Sequence, residues 1–362
     1  MASSVRWVVR VTGNFQSETA LNSLAAQALV AAMDSGWADP KKIGQSPSRA
    51  AHLRANAVES IAVNLGLKAD QIEITGEVGL GYFLSLGGFL APDRKLFYGA
   101  GDRSGVIATA RSHQGNSQII PLSPDGALDF SEVEFAPNSV LSFQLANGET
   151  GVINKMPTEL PEDLLVAVDA TASGNRQPLP DNWSSAVFDS RAWEGPAGVA
   201  VVAISDAANW KNPLPHISAV RRTYGTFSLP LLIASAVALE NFVPDDKNIR
   251  KMNAKIRSDI SRQIPGALIA GDLDKSIPHL TSLVIPDCNG EEILRGLSVR
   301  GLSVDSGSAC TAMNLQPSHV LAAMGLPTDG NIRITLHAET TAEEVELLIN
   351  AVVDEVRSQQ QR

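Results

Sequence analysis

The chain contains two cysteines, Cys288 and Cys310, and the second stands among residues that would leave a thiol free to react. Ser306, Gly307, Ser308, Ala309 and Thr311 surround Cys310, and small neighbours let a loop approach a ligand closely. The thiolate is the nucleophile, so a reactive cysteine needs exposure or a nearby cation. The same stretch also fits a turn around a buried thiol, the common fate of free cysteine. Arg333 lies between Ile332 and Ile334. Period two turns it away from both neighbours, either as surface charge or as a clamp for a carboxylate. Asp169 closes the apolar run "LLVAVDA", at the kind of strand end where ligands of parallel sheets bind, or else it caps a turn. Asn147, Gly148 and Glu149 close another such run. "TGEVGLG", from Thr75, follows a strand and opens a helix, where backbone N–H groups can hold a phosphate; it matches neither G-x-G-x-x-G nor a P-loop. The six histidines show no metal-ligand spacing, so no metal site is expected.

These residues need elements to position them. "QIEIT", "KLFYGAG", "SVLSFQL", "LLVAVDA" and "VAVVAIS" have the composition of strands, and several are almost wholly apolar. Strands buried on both faces look like this, which favours a mostly parallel sheet flanked by helices. Before the first of them, Leu53, Ala57, Ile61 and Leu65 share one helical face. The alternation predicts a large α/β domain over residues 13–245. Beyond it, "DDKNIRKMNAKIRSDISRQI" has the pattern of a charged amphipathic connecting helix. Strand-like "TSLVIP", a helix from about Gly290, and "IRITL" follow. The final helix is announced by Thr341 and Glu344, a T-x-x-E capping box, with Val345, Leu348, Ile349, Val352 and Val356 on one face. A smaller α+β domain, from 1–12 and 246–362 and carrying the Cys310 loop, is expected.

Composition narrows the partners. Among 362 residues, 29 Lys+Arg face 39 Asp+Glu, a net charge of −10, with no basic run of the kind a phosphate backbone requires; nucleic acid is not an expected partner. No apolar run reaches membrane-spanning length, the first residues lack a signal-peptide pattern, and two cysteines make no disulfide framework. A cytoplasmic location follows as the expectation.

Taken in order, "NGETG", "VDATAS", "FDSRAWEGPAGVAVVAI", "RRTYGTFSLP" and "SGSACT…LQPSHVL…IRITL…TTAEEVE" resemble the signature of cysteine desulfurases, the NifS/IscS branch of the class V aminotransferases. The resemblance implies a fold type I pyridoxal-phosphate (PLP) transferase architecture, commonly a homodimer with sites near its interface. It also implies that Cys310 is the sulfur-accepting residue and that Arg333 receives a substrate carboxylate. Asn147, Asp169 and Thr226 would be retained from the cofactor site. Other positions depart from the family. Ala192 stands where the Schiff-base lysine belongs, and Arg191 where a histidine precedes it. Arg103 replaces the histidine that stacks on the ring, and Ala172 replaces a glutamine near it. The phosphate cup becomes Gly76, Glu77, Val78 and Gly79, with Glu77 placing negative charge at a helix start.

Three functions fit these residues. One is a catalytically degenerate desulfurase-like protein of sulfur or iron–sulfur metabolism, relaying sulfur through Cys310. The others are an active PLP enzyme, and a binding or scaffold protein reusing the fold. The first carries the expectations of no cofactor as purified and of a homodimer, or a heterodimer with a desulfurase homologue. A sulfur acceptor or iron–sulfur scaffold would be its further partner.

Overall fold

The computed structural model describes residues 13–214, 228–243, 245–306 and 317–361. The apolar runs lie at the centre of a seven-stranded sheet. Across it the order is Ile72–Thr75, Ala200–Ile204, Ser185–Asp189, Leu165–Asp169, Ser139–Gln144, Lys95–Gly99 and Ser117–Ile120. Ser139–Gln144, Leu165–Asp169, Ser185–Asp189 and Ala200–Ile204 are buried at every position, which is why their sequences do not alternate. Ser117–Ile120, at the edge, buries only Ile120.

The sheet is mostly parallel, as expected, with one reversal. Ala200–Ile204 runs antiparallel to both of its neighbours. Only residues 190–199 separate it from Ser185–Asp189, too few for the helical crossover that a parallel return requires. That short return places Ala192 and Glu194 at one end of the sheet.

Helices cover the sheet. Gln45–Asn64 buries Ala57 and Ile61 and half-buries Leu53, with Leu65 half-buried at its C-cap, the face expected from spacing. "LPLLIASAVALE" forms the helix Leu229–Glu240, apolar nearly all round because Ser23–Met33 and Gln45–Asn64 both pack on it. Among the described residues no helix is long and apolar enough to cross a membrane.

A second core lies around three antiparallel strands, with Leu280–Val284 between Leu268–Ala270 and Asn331–Thr335. Asp246–Gln263 does more than connect, since Ile249, Met252, Ile256 and Ile260 are part of this core. Ala342–Gln360 begins with the capping box formed by Thr341 and Glu344, and Val345, Leu348, Ile349, Val352 and Val356 are all buried.

Candidate functional site

A cavity of about 320 Å³ opens beyond the C-terminal ends of the parallel strands, with walls from both cores. Its size suits a small molecule. Larger depressions of about 560 and 540 Å³ lie at the other end of the sheet, around Arg94 and Asn138. They gather fewer convergent charged groups, and the C-terminal end is where open parallel sheets bind ligands.

The floor grows from Leu165–Asp169. The buried Asp169 carboxylate accepts from the Thr171 backbone N–H at 2.9 Å and the Thr171 hydroxyl at 2.6 Å, while Gln144 Nε2 donates to its other oxygen at 3.3 Å. Tyr82 lies 2.7 Å from the Thr171 hydroxyl; with that hydroxyl's proton directed at Asp169, the phenol is the donor. Burial, reinforced by the charge of Asp169, raises the Tyr82 pKa, so the phenol stays protonated. Thr171 lines the cavity and brings the Asp169 network to its edge.

Asn147 organises the adjacent turn. Its Oδ1 accepts from the backbone N–H groups of Glu149 and Thr150, and its Nδ2 donates to the Gly101 carbonyl and to Gln144. The amide is thus spent on the fold. It presents Gly148, over which Arg103 lies: a Cβ on Gly148 would stand 1.8 Å from an Arg103 guanidinium nitrogen. Arg103 Nε is buried without a partner. Desolvation works against the Arg103 charge, but its acidic surroundings, with Asp169 and Asp189 among them, outweigh it and the pKa is raised.

The wall opposite is fully tied. The Asp189 side chain caps the turn Ser190–Trp193 and holds Arg191 through Nε and Nη2, the latter at 2.6 Å; Arg191 Nη1 donates to Glu18 at 2.6 Å. These acids raise the Arg191 pKa further. The Ala192 carbonyl accepts from Arg176 at 2.9 Å. Among the described residues, no lysine lines the cavity.

From the second core, Arg333 reaches the cavity, turned away from the buried Ile332 and Ile334. One of its nitrogens is 3.2 Å from Asp305, and its Nε is buried without a partner. His279 also lines the cavity with Nδ1 unpartnered; burial, then Arg176, holds its pKa far below the ordinary range, so the ring is neutral. Burial likewise lowers His337, against the opposing pull of its bond to the Gln16 carbonyl and of Glu194.

The structure therefore brings Arg103, Ala192 and Arg333 to one cavity, with Asp169 and Asn147 behind it. Gly76 and Val78 do not line it. Val78 opens the helix Val78–Gly87, where Glu77 caps the N-terminus by accepting from Gly79 N–H at 2.7 Å. Cys310 and Thr226 lie outside the described residues. Sequence reasoning missed His279, Arg176, Glu194 and the Tyr82–Thr171 pair, which carry no spacing signal.

The model of the class-V aminotransferase family matches residues 84–348. This chain belongs to that family. Cysteine desulfurase NifS of Azotobacter vinelandii is 28% identical over 254 residues, 64% of this chain and 62% of that protein; the match thus spans less than two thirds of this relative. A solved NifS-like protein superposes with a TM-score of 0.82 at 21% identity, covering 96% of this chain and all of that one.

A further solved neighbour corrects the expectation of a protein without cofactor. It is a lysine-to-alanine variant of C-DES with glycine covalently linked to its PLP cofactor (TM-score 0.76, 16% identity, 95% of this chain and 97% of that one). In that protein an exchanged lysine coexists with bound PLP, so Ala192 is no ground for excluding the cofactor from a class-V fold. The expectation gave too much weight to the missing tether and the altered phosphate cup; ring contacts and charge also hold a cofactor.

Proposed function

We propose that this protein is a cysteine desulfurase-like, sulfur-handling member of the class-V aminotransferases that holds PLP without a lysine tether and receives sulfur on Cys310. The observation that carries this reading is the absence of lysine from the described cavity lining, with Ala192 at the tether position. The ring end fits the cofactor. Asp169, behind Thr171, would supply a carboxylate to a protonated ring nitrogen, and Arg103 and Arg333 line the cavity as cations for anionic groups. When bound, PLP supplies an electron sink for bonds at the α-carbon of an amino acid.

The chain's own residues set the limits of that chemistry. Arg333, held against Asp305, is placed to receive a carboxylate. With no cavity lysine, the residue that would carry the α-proton away is missing, and turnover of free cysteine is expected to fail. Sulfur then arrives from a lysine-bearing homologue: the Cys310 thiolate attacks the outer sulfur of the donor's persulfide and the donor thiolate leaves. Glu77 has to swing off Gly79 before that helix N-terminus can hold a phosphate, and its exposure permits this. A dimer, with itself or with that homologue, is part of the proposal.

The test uses PLP absorbance and labelled sulfur. Added PLP is expected to bind reversibly, borohydride to fix none of it on lysine, and cysteine alone to yield no sulfide. A donor desulfurase with labelled cysteine should label Cys310, and Cys310→Ser should remove the label. Cys288 serves as the control, buried and with its thiol pushed up by desolvation. Borohydride-fixed cofactor on a lysine, or label absent from Cys310, would overturn the reading.

A further inference from the structure

Four arginines, 103, 176, 191 and 333, line the cavity, and so do four carboxylates, Glu18, Asp189, Glu194 and Asp305. The charges balance in number but not in partnership. Arg191 takes both Asp189 and Glu18. Arg333 is paired with Asp305, and Arg176 lies 3.6 Å from Asp246 while donating to the Ala192 carbonyl. Among the described residues, Arg103 makes no hydrogen bond or ion pair, although its Nε is out of reach of water. A buried donor left unmade is costly, and a guanidinium more so than a neutral group. The rest of the side chain lines the cavity, where a ligand can meet the guanidinium.

We propose that Arg103 is an anion receptor, and that with Arg333 it makes this cavity a seat for small dianions, molecules carrying two carboxylate-type groups. The inference rests on the reading of Arg333 as the seat of one carboxylate. Arg103 faces the same cavity from the other core, so a ligand anchored at Arg333 meets a second unsatisfied cation. Gly148 is part of the device, because any side chain there would occupy the place of the guanidinium. A planar fork of this kind suits a carboxylate's two oxygens.

Calorimetric titration of the full chain without added PLP tests this, with succinate and butyrate as four-carbon probes differing in one carboxylate. Succinate is expected to bind about tenfold more tightly than butyrate, the yield of one charge-assisted bond. Arg103→Gln should abolish that preference and Arg103→Lys should keep part of it, with circular dichroism confirming that both variants fold. Equal affinities in the parent chain, or a preference surviving in Arg103→Gln, would overturn the proposal. A PLP arm separates the two sources of an oxyanion. If PLP displaces succinate, and Arg103→Gln weakens PLP as much as succinate, the anion held is the cofactor's phosphate and the dianion assignment falls. If succinate still binds to the PLP-loaded chain with its preference intact, the assignment stands. Neither outcome touches Cys310 labelling, so failure here is distinct from failure of the sulfur reading.

Discussion

The two sides of the cavity satisfy their charges differently. On the side of Ser190–Trp193, Arg191 is gripped by Asp189 and Glu18, and Glu194 accepts from the Ala338 backbone N–H at 2.8 Å. Beneath, Trp193 is fully buried with its indole N–H directed at Ser235. On the side of Asn147–Gly148, the half-buried Arg103 lies over a glycine, and among the described residues its guanidinium makes no hydrogen bond or ion pair. Folding alone explains the first side: its polar groups are consumed by one another. The second is incomplete as folded: Arg103 Nε joins Arg333 Nε and His279 Nδ1 as buried groups without a partner around one cavity, and that clustering points to a ligand.

Substitutions can break or sharpen that contrast. The largest effect is expected at Trp193. Trp193→Ala empties a packed site and orphans the groups it meets, costing about 3–5 kcal/mol in urea unfolding; a cost below about 1 kcal/mol would show that the tied wall is not structural.

Asp102, next to Arg103 in the chain, comes second. Burial raises its carboxyl to about 7, against the bonds it accepts from Ser142 and Gly99. An unfolded aspartate titrates at about 3.9. Between these values the folded chain holds a proton that the unfolded chain has lost, so stability falls as pH rises from about 4 to about 7 and levels off above. Asp102→Asn should remove that fall while leaving other titrations in place. Urea midpoints at pH 5 and pH 8 for both proteins check it, and parallel slopes would refute it.

Arg103→Met should act in the same direction as Trp193→Ala, more weakly. Removing the cation leaves the potential of Asp169 and Asp189 less opposed and returns only the cost of an unmade hydrogen bond, so the ligand-free protein is expected to lose about 1 kcal/mol. A melting temperature above the parent's would mean that desolvation dominates at Arg103.

The smallest effect is expected at Glu77. Glu77→Ala removes a helix cap, costing about 0.5–1 kcal/mol, yet frees Gly79 N–H and a negative charge from the helix start. PLP should therefore bind more tightly to the variant, as followed by its absorbance; unchanged or weaker binding would place the phosphate elsewhere.

What could be read from the sequence divides along similar lines. Runs such as "LVAVD" and the T-x-x-E start of the last helix carry their structure in local composition, and the structure has both where expected. "SAVFD" and "SQII" form strands without a clear local signal, because polar ends mask one and edge exposure dilutes the other. Leu229–Glu240 is apolar in every direction, so no periodicity marks it; only its packing between two other helices makes it a helix. In the site, period two told which way Arg333 turns. That Arg103 finds no carboxylate partner among the described residues did not show, since no local pattern records whether a distant carboxylate comes within reach. Arg191, another arginine placed against family expectation, proved fully engaged.

Gly148 has a bearing on binding entropy. Arg103 lies directly against its backbone, with a guanidinium nitrogen 1.8 Å from where a methyl would begin. An arginine free in solvent carries about 2 kcal/mol of rotamer entropy, and an anion recruiting it must first quench that freedom. Here the side chain is stowed during folding, so the ordering cost falls on the stability of the chain and not on the ligand's affinity. A methyl at position 148 would reverse the arrangement: Gly148→Ala would push Arg103 off its bed, and any anion would then have to order it afresh.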